Sequence, residues 1–164
     1  MSVAQTIIRP INRHDEAELK LVAARMRDTL IEVLGEERGG SMYTMEWLIA
    51  RAAYHLDPNS CTGEIFLSQN GDRVTGHSIV RVEKDEAGKQ YGLFSTTYVE
   101  PEYRRRGIAQ MLIKSGEDWM RGHHLDDAVT YTEPNNEGLK QLFGGMGYDC
   151  ERVNEEFVAL KKRL

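Results

Sequence analysis

Arg104, Arg105 and Arg106 stand directly before Gly107-Ile108-Ala109, in the run Tyr98-Val99-Glu100-Pro101-Glu102-Tyr103-Arg104-Arg105-Arg106-Gly107-Ile108-Ala109. Guanidinium groups followed by small residues, at the spacing Arg104-x-x-Gly107-x-Ala109, are suited to holding an anion. The flanks say how. Gln90 to Val99 is rich in Tyr, Phe, Thr and Val and reads as a strand. Beyond the basic turn, Ile108, Met111, Leu112, Trp119 and Met120 fall on one face of a helix. A helix starting near Gly107 leaves its first backbone N–H groups unpaired and points its positive dipole end over the turn. Phosphate is the natural guest, and a Cβ at position 107 would stand in its way. The spacing alone fits a solvated basic helix start equally well.

Context narrows it. With Val99 and Pro101 upstream, the run resembles the acyl-CoA-binding motif of the GCN5-related N-acetyltransferase (GNAT) superfamily: a strand ending in Val-x-Pro, then Arg/Gln-x-x-Gly-x-Gly/Ala opening a helix. Asn136, Leu142-Phe143 and Gly147-Tyr148 follow in the order and at the separations this family uses for Asn, Leu-Tyr and Gly-Phe. The resemblance covers most of the chain in element order, with its specific motifs between residues 95 and 148, and residues 28 to 64 match nothing in it. Two departures stand out: Ala109 where Gly is commoner, and Phe143 where Tyr is usual.

The resemblance implies acetyl-CoA as acyl donor. Its pyrophosphate is expected on Arg104, Arg105, Arg106, Gly107, Ile108 and Ala109, and its pantetheine arm against the backbone of Tyr98 and Val99, flanked by Asn136 and Phe143. Plain strand packing accounts for Tyr98 and Val99 as well, and a helix N-cap for Asn136. Acyl transfer to an amine of pKa about 10.4 requires loss of a proton. The family often places Glu or His on the strand ending at Val99, but the alternate positions here are Leu93, Ser95 and Thr97, none of them a base at neutral pH. Ser95 is therefore the candidate catalytic residue, orienting a water chain that leads to solvent or to a carboxylate such as Glu133. Phe143 has no proton for the departing thiolate. Tyr148 or water takes that part, or the thiol, with pKa about 8.5, leaves as its anion. The implied activity is N-acetyl transfer from acetyl-CoA to a primary amine of a small molecule or protein, the acceptor and the acyl length being left open. The alternative is an acyl-CoA-binding sensor or interaction module without turnover.

The elements that must position these residues are legible from periodicity. Thr6 to Arg9 is a β-like run stopped by Pro10, and Asp15-x-x-Glu18 resembles a capping box. It opens a helix with Leu19, Val22, Ala23, Met26, Leu30, Val33 and Leu34 on one side. Gly35 and Gly39-Gly40 interrupt that helix, and a second runs from about Thr44 to Leu56. Glu64 to Gln69 and Arg73 to Val82 flank Asn70-Gly71, a hairpin turn, and a third strand at 90 to 99 completes an antiparallel meander. A helix from Gly107 to about His123, a strand near Ala128 to Thr132, a helix from Asn136 to Met146 and a hairpin over Tyr148 to Lys161 follow. The result is an α/β fold: a mixed, mostly antiparallel sheet flanked by helices, with strands 90 to 99 and 128 to 132 parallel through a helical crossover. The resemblance implies that this pair splays apart around the cofactor arm.

At 164 residues the chain suits a single domain spanning 1 to 164, with room for one core unaided by disulfide or metal. Cys61 and Cys150 lack metal-ligand spacing and read as unrelated small apolar residues, and no metal is expected. A net charge of −5 argues against nucleic acid as a partner despite the arginine triplet, and Lys161, Lys162 and Arg163 read as a solvated terminus. No apolar run suggests a membrane partner and the N-terminus lacks a secretory pattern, so a cytoplasmic location is expected. The chain is open to acting alone or as a homodimer. The acceptor is expected on the side covered by 36 to 60, which carries Tyr43, Met45, Trp47 and Tyr54, with Trp47 read as core. His55, His77, His123 and His124 read as surface or strand residues.

Overall fold

Residues 5–164 are described by the computed structural model. Among them, β1 (Thr6–Pro10), β2 (Gly63–Asn70), β3 (Arg73–Lys84), β4 (Gln90–Val99), β5 (Asp127–Thr132), β6 (Asp149–Arg152) and β7 (Val158–Arg163) form a seven-stranded sheet in the order β1-β2-β3-β4-β5-β7-β6. Each neighbouring pair is antiparallel except β4 and β5. The hairpin between β2 and β3 turns on Gly71-Asp72, one residue later than expected, with Asn70 paired to Arg73 and Gly71 at φ 60°.

Helices cover both faces. α1 (Glu16–Leu34) and α3 (Met45–Tyr54) turn Val22, Ala23, Met26, Leu48 and Ala52 onto Ile65, Leu67 and Ile79 of one face. α4 (Ile108–Gly122) and α5 (Glu137–Gly144) pack Ile113, Met120 and Phe143 onto Val80, Phe94, Ala128 and Leu160 of the other. Each fully buried aliphatic side chain contributes roughly 1.5–3 kcal/mol. A third cluster, Val99, Tyr103, Ile108 and Leu112, sits where β4 gives way to α4 and anchors the basic turn from below.

Several local expectations need correcting. A short helix, α2 (Glu36–Ser41), runs through Gly39 and Gly40, where two glycines suggested a break. Asp15 does cap α1, accepting from the Ala17 N–H, but Glu18 does not close a capping box. It accepts instead from Arg9 and from the Asn12 N–H, tying α1 to β1. Trp47 is not core. The inward face of α3 is taken by Met45, Leu48, Ile49 and Ala52, leaving Trp47 45% exposed and stacked on Tyr43 at 4.0 Å. His55, at the end of α3, is buried rather than on the surface; His77 is a strand residue as expected, and is buried.

The parallel pair is short. Gly92, Leu93 and Phe94 pair with Ala128, Val129 and Thr130, and there the pairing of the two strands stops. On the other edge of β4, Thr96 opposes Ile79 and Phe94 opposes Val80, so Ser95 is an extra residue, a bulge. Bulges bend the strand that carries them. From Ser95 onward β4 stays with β3 and leaves β5, opening a gap between the parallel strands. None of the helices among the described residues is long and apolar enough to cross a membrane.

Candidate acyl-CoA site

The gap widens into a cleft of about 970 Å³. Its floor is the end of β4, from Thr97 to Val99; one wall is the basic turn with the start of α4, and the other runs from Asn135 to Leu142 at the start of α5. α1 adds Thr29, Glu32 and Val33 at the mouth, a helical i, i+3, i+4 set from which Val33 was expected on the core face.

The basic turn has the geometry of an anion seat. Arg105 and Gly107 both have left-handed φ, 62° and 81°, a backbone shape that turns successive N–H groups to one side. Gly107 is the N-cap of α4 and no side chain caps the helix, so its first N–H groups and positive dipole end face the cleft. An added Cβ at 107 would meet nothing within 4 Å. Glycine is required there for its φ, and the open space beyond is the cleft itself.

The three arginines divide. The Arg104 Nε donates to the Val99 carbonyl at 2.7 Å and its Nη2 donates to Glu32 at 2.6 Å, while its guanidinium lies 5.4 Å from the Tyr98 ring centroid. The Glu32 hydrogen bond raises the Arg104 pKa, so this side chain builds the floor as a permanent cation. Arg105 lines the cleft, whereas Arg106 lies over the ring of Tyr103. Ile108 is buried beneath the turn and Ala109 is half-buried beside it. Tyr98 and Val99 line the cleft with largely buried side chains.

On the opposite wall, Asn136 is both N-cap and cleft residue: its Oδ1 accepts from the Leu139 N–H and its Nδ2 donates to Thr132. Phe143 does not flank the cleft. Its side chain is fully buried, 5.5 Å from Phe94 and 4.9 Å from Tyr148 by ring centroids, and Leu139 and Leu142 supply the apolar wall instead. Tyr148 is sealed in as well. Its hydroxyl donates to the buried Glu117 at 2.7 Å, and Glu117 also accepts from Lys162 at 3.0 Å. Burial and that hydrogen bond push the Tyr148 pKa far up, which removes it as a proton source for the cleft. Of the alternate positions on β4, Leu93 is buried, Thr97 lines the cleft, and Ser95 sits half-buried at the bulge. Glu133 is half-buried in the turn after β5. The bulge breaks the alternation from which those positions were read.

Among the described residues no group of three or more His, Cys, Asp or Glu gathers as a metal site, and both cysteines are unpaired. The arrangement suits an elongated ligand with an anionic end at α4 and a thin arm laid along β4.

Comparison with known proteins agrees. The acetyltransferase (GNAT) family profile matches residues 25–148. A mycothiol acetyltransferase of Acidimicrobium ferrooxidans is 28% identical over 123 residues, which are 74% of this chain and 37% of that protein. The chain thus spans little more than a third of that relative. Among solved structures, the PaiA N-acetyltransferase of Thermoplasma acidophilum in complex with coenzyme A superposes with a TM-score of 0.75 at 15% identity, covering 97% of this chain and 99% of the other. An acetyltransferase of Thermus thermophilus matches over 100% of both chains, at TM-score 0.75 and 16% identity. A chain of the NatC complex bound to Gag peptide and CoA matches at TM-score 0.71 and 20% identity, over 98% of this chain and 99% of that one. At such identities these structures establish the fold.

Proposed function

The chain belongs to the acetyltransferase (GNAT) family, and from that premise we propose that it is an acyl-CoA-dependent N-acyltransferase acting as one unit over residues 1–164. It takes acetyl from acetyl-CoA and passes it to a primary amine of a small molecule or protein. One observation carries the reading: the uncapped N-terminus of α4 opens onto a cleft between diverging parallel strands. The diphosphate sits on the N–H groups of the turn and the first turn of α4, with Arg105 beside it. The pantetheine arm lies along Tyr98 and Val99, between the β4 floor and the wall formed by Asn136, Leu139 and Leu142.

The amine nitrogen attacks the thioester carbonyl, the C–N bond forms, and the C–S bond breaks to release CoA thiolate. The proton lost from nitrogen leaves through water oriented by Ser95, and the thiolate departs without help from Phe143 or Tyr148. Incubation with acetyl-CoA and a panel of primary amines, reading thiol release and the mass of the product, tests this. Turnover with at least one amine is the expected result. Sealing of both Phe143 and Tyr148 in the core favours, as a second reading, an acyl-CoA sensor; acetyl-CoA binding with no transfer to any amine would select it.

A further inference from the structure

We propose that His77 is a positioning residue for the transfer reaction: its hydrogen bond to Thr96 fixes the bend at which β4 leaves β5, and thereby sets the floor of the acyl-CoA cleft. This rests on the acyl-CoA reading above. His77 lies on β3 and is 1% exposed. Its Nε2 and the Thr96 Oγ1 share a hydrogen bond of 2.8 Å. Thr96 is the residue next to the Ser95 bulge and just before the cleft-lining Thr97 to Val99, so this contact pins the bend at its pivot.

Three adjacent β3 residues act together on this stretch. The Thr75 carbonyl accepts from the Glu100 N–H at 2.8 Å. Gly76 runs so close that a Cβ there would lie 2.4 Å from the Tyr98 carbonyl oxygen and 3.1 Å from the Val99 Cα. The His77 ring stacks on Tyr98 at 6.1 Å between centroids. The far half of β4 is thus held to β3 by backbone, close approach and side chain, while β5 holds β4 only as far as Phe94. Without the His77 contact the bulge is free to shift its register, and the backbone of Thr97 to Val99 turns with it.

The imidazole is a strut and does not serve as a base. Burial, with the Arg25 guanidinium adding to it, pushes its pKa down to about 3, so it is neutral at working pH and a poor acceptor for an ammonium proton.

Steady-state kinetics on Thr96→Val, His77→Phe, His77→Gln and the Thr96→Val/His77→Phe double variant test the assignment. Thr96→Val keeps the shape and removes only the hydroxyl. It is expected to raise the KM and Kd for acetyl-CoA about tenfold while leaving the acceptor KM nearly unchanged, and to lower the melting temperature by a few degrees because the His77 Nε2 is left buried and unpaired. His77→Phe keeps the stack on Tyr98 and is expected to show the same loss; the double variant should be no worse than either single, since one interaction is removed in all three. His77→Gln, which presents an amide near the Nε2 position, should recover most of the loss seen with Phe. A merely structural role would lower the melting temperature and leave the acetyl-CoA KM alone. Should His77→Phe fail to fold, Thr96→Val alone decides. Thr96→Val with wild-type KM and Kd, in a protein whose wild type binds acetyl-CoA, overturns the assignment of His77 alone. A wild type that binds no acetyl-CoA overturns the acyl-CoA reading and this one with it.

Discussion

At Ser95 the proposed reaction has a hydroxyl and no base. The buried His77, at about 3, and His55, at about 4, titrate too low to draw a proton from an ammonium at neutral pH. The neutral amine must then come from solution equilibrium. We expect log kcat/KM to climb with pH up to the acceptor's own pKa, and Ser95→Ala to lower kcat by less than about tenfold; a pH–rate profile breaking near 6 or 7 would reveal a positioned base and end the solvent-relay mechanism. The basic turn could be placed at a helix start from its glycine and its position after a strand, and the structure sets Arg104, Arg105, Gly107, Ile108 and Ala109 on the cleft wall. Phe143 and Tyr148 were not legible: whether Phe143 faces core or cleft depends on the rotation of a short amphipathic helix, and Tyr148, just after it, follows that packing. Burial between Phe94 and Tyr148 makes Phe143 a packing residue, and Phe143→Ala should cost about 3–5 kcal/mol in urea denaturation.

Elements were read well wherever period and punctuation agreed. β4 was placed at its observed bounds, and α1, α4 and the Asn70-Gly71 hairpin came close, because long periodic runs and a turn dipeptide leave little choice. α2 was missed because tertiary contacts hold a helix through Gly39, whose added Cβ would lie 2.4 Å from the Leu30 carbonyl oxygen. The Ser95 bulge was invisible for a different reason: an extra residue shows only in the register against β3. Strand spacing at the cleft depends on Gly76 in the same way. Gly76→Ala should force β3 and the end of β4 apart, costing about 1–3 kcal/mol and weakening acetyl-CoA binding in parallel. A fully stable Gly76→Ala with wild-type affinity would mean that the close approach has no bearing on the cleft.

For the whole molecule, one sheet with helices on both faces makes two large clusters and leaves the cleft where strand pairing runs out. This arrangement was legible in the sequence because a helical crossover between parallel strands has one favoured hand. The enclosure of two histidines by the fold was not. His55 is held neutral mainly by burial, accepting from Arg81 through Nε2 while Nδ1 faces the Arg51 carbonyl. Both folded pKa values lie below the unfolded 6.5, so the unfolded chain binds protons that the folded one refuses as pH falls. Stability should therefore decline from pH 6.5 down to about 4 for His55 and about 3 for His77, each by up to about 1.4 kcal/mol per pH unit. Urea midpoints measured across that range check it, and a flat profile would contradict both burials. The central claim, that α4 seats the diphosphate of acyl-CoA, is tested most directly by calorimetric titration of acetyl-CoA into the wild type and Gly107→Glu. A Cβ at 107 meets no atom within 4 Å and the cost of a left-handed φ is about 1–2 kcal/mol, so the variant should stay folded. Saturable binding by the wild type with none detectable in the folded variant is the predicted result, and a Gly107→Glu protein that binds acetyl-CoA as tightly as the wild type would contradict it.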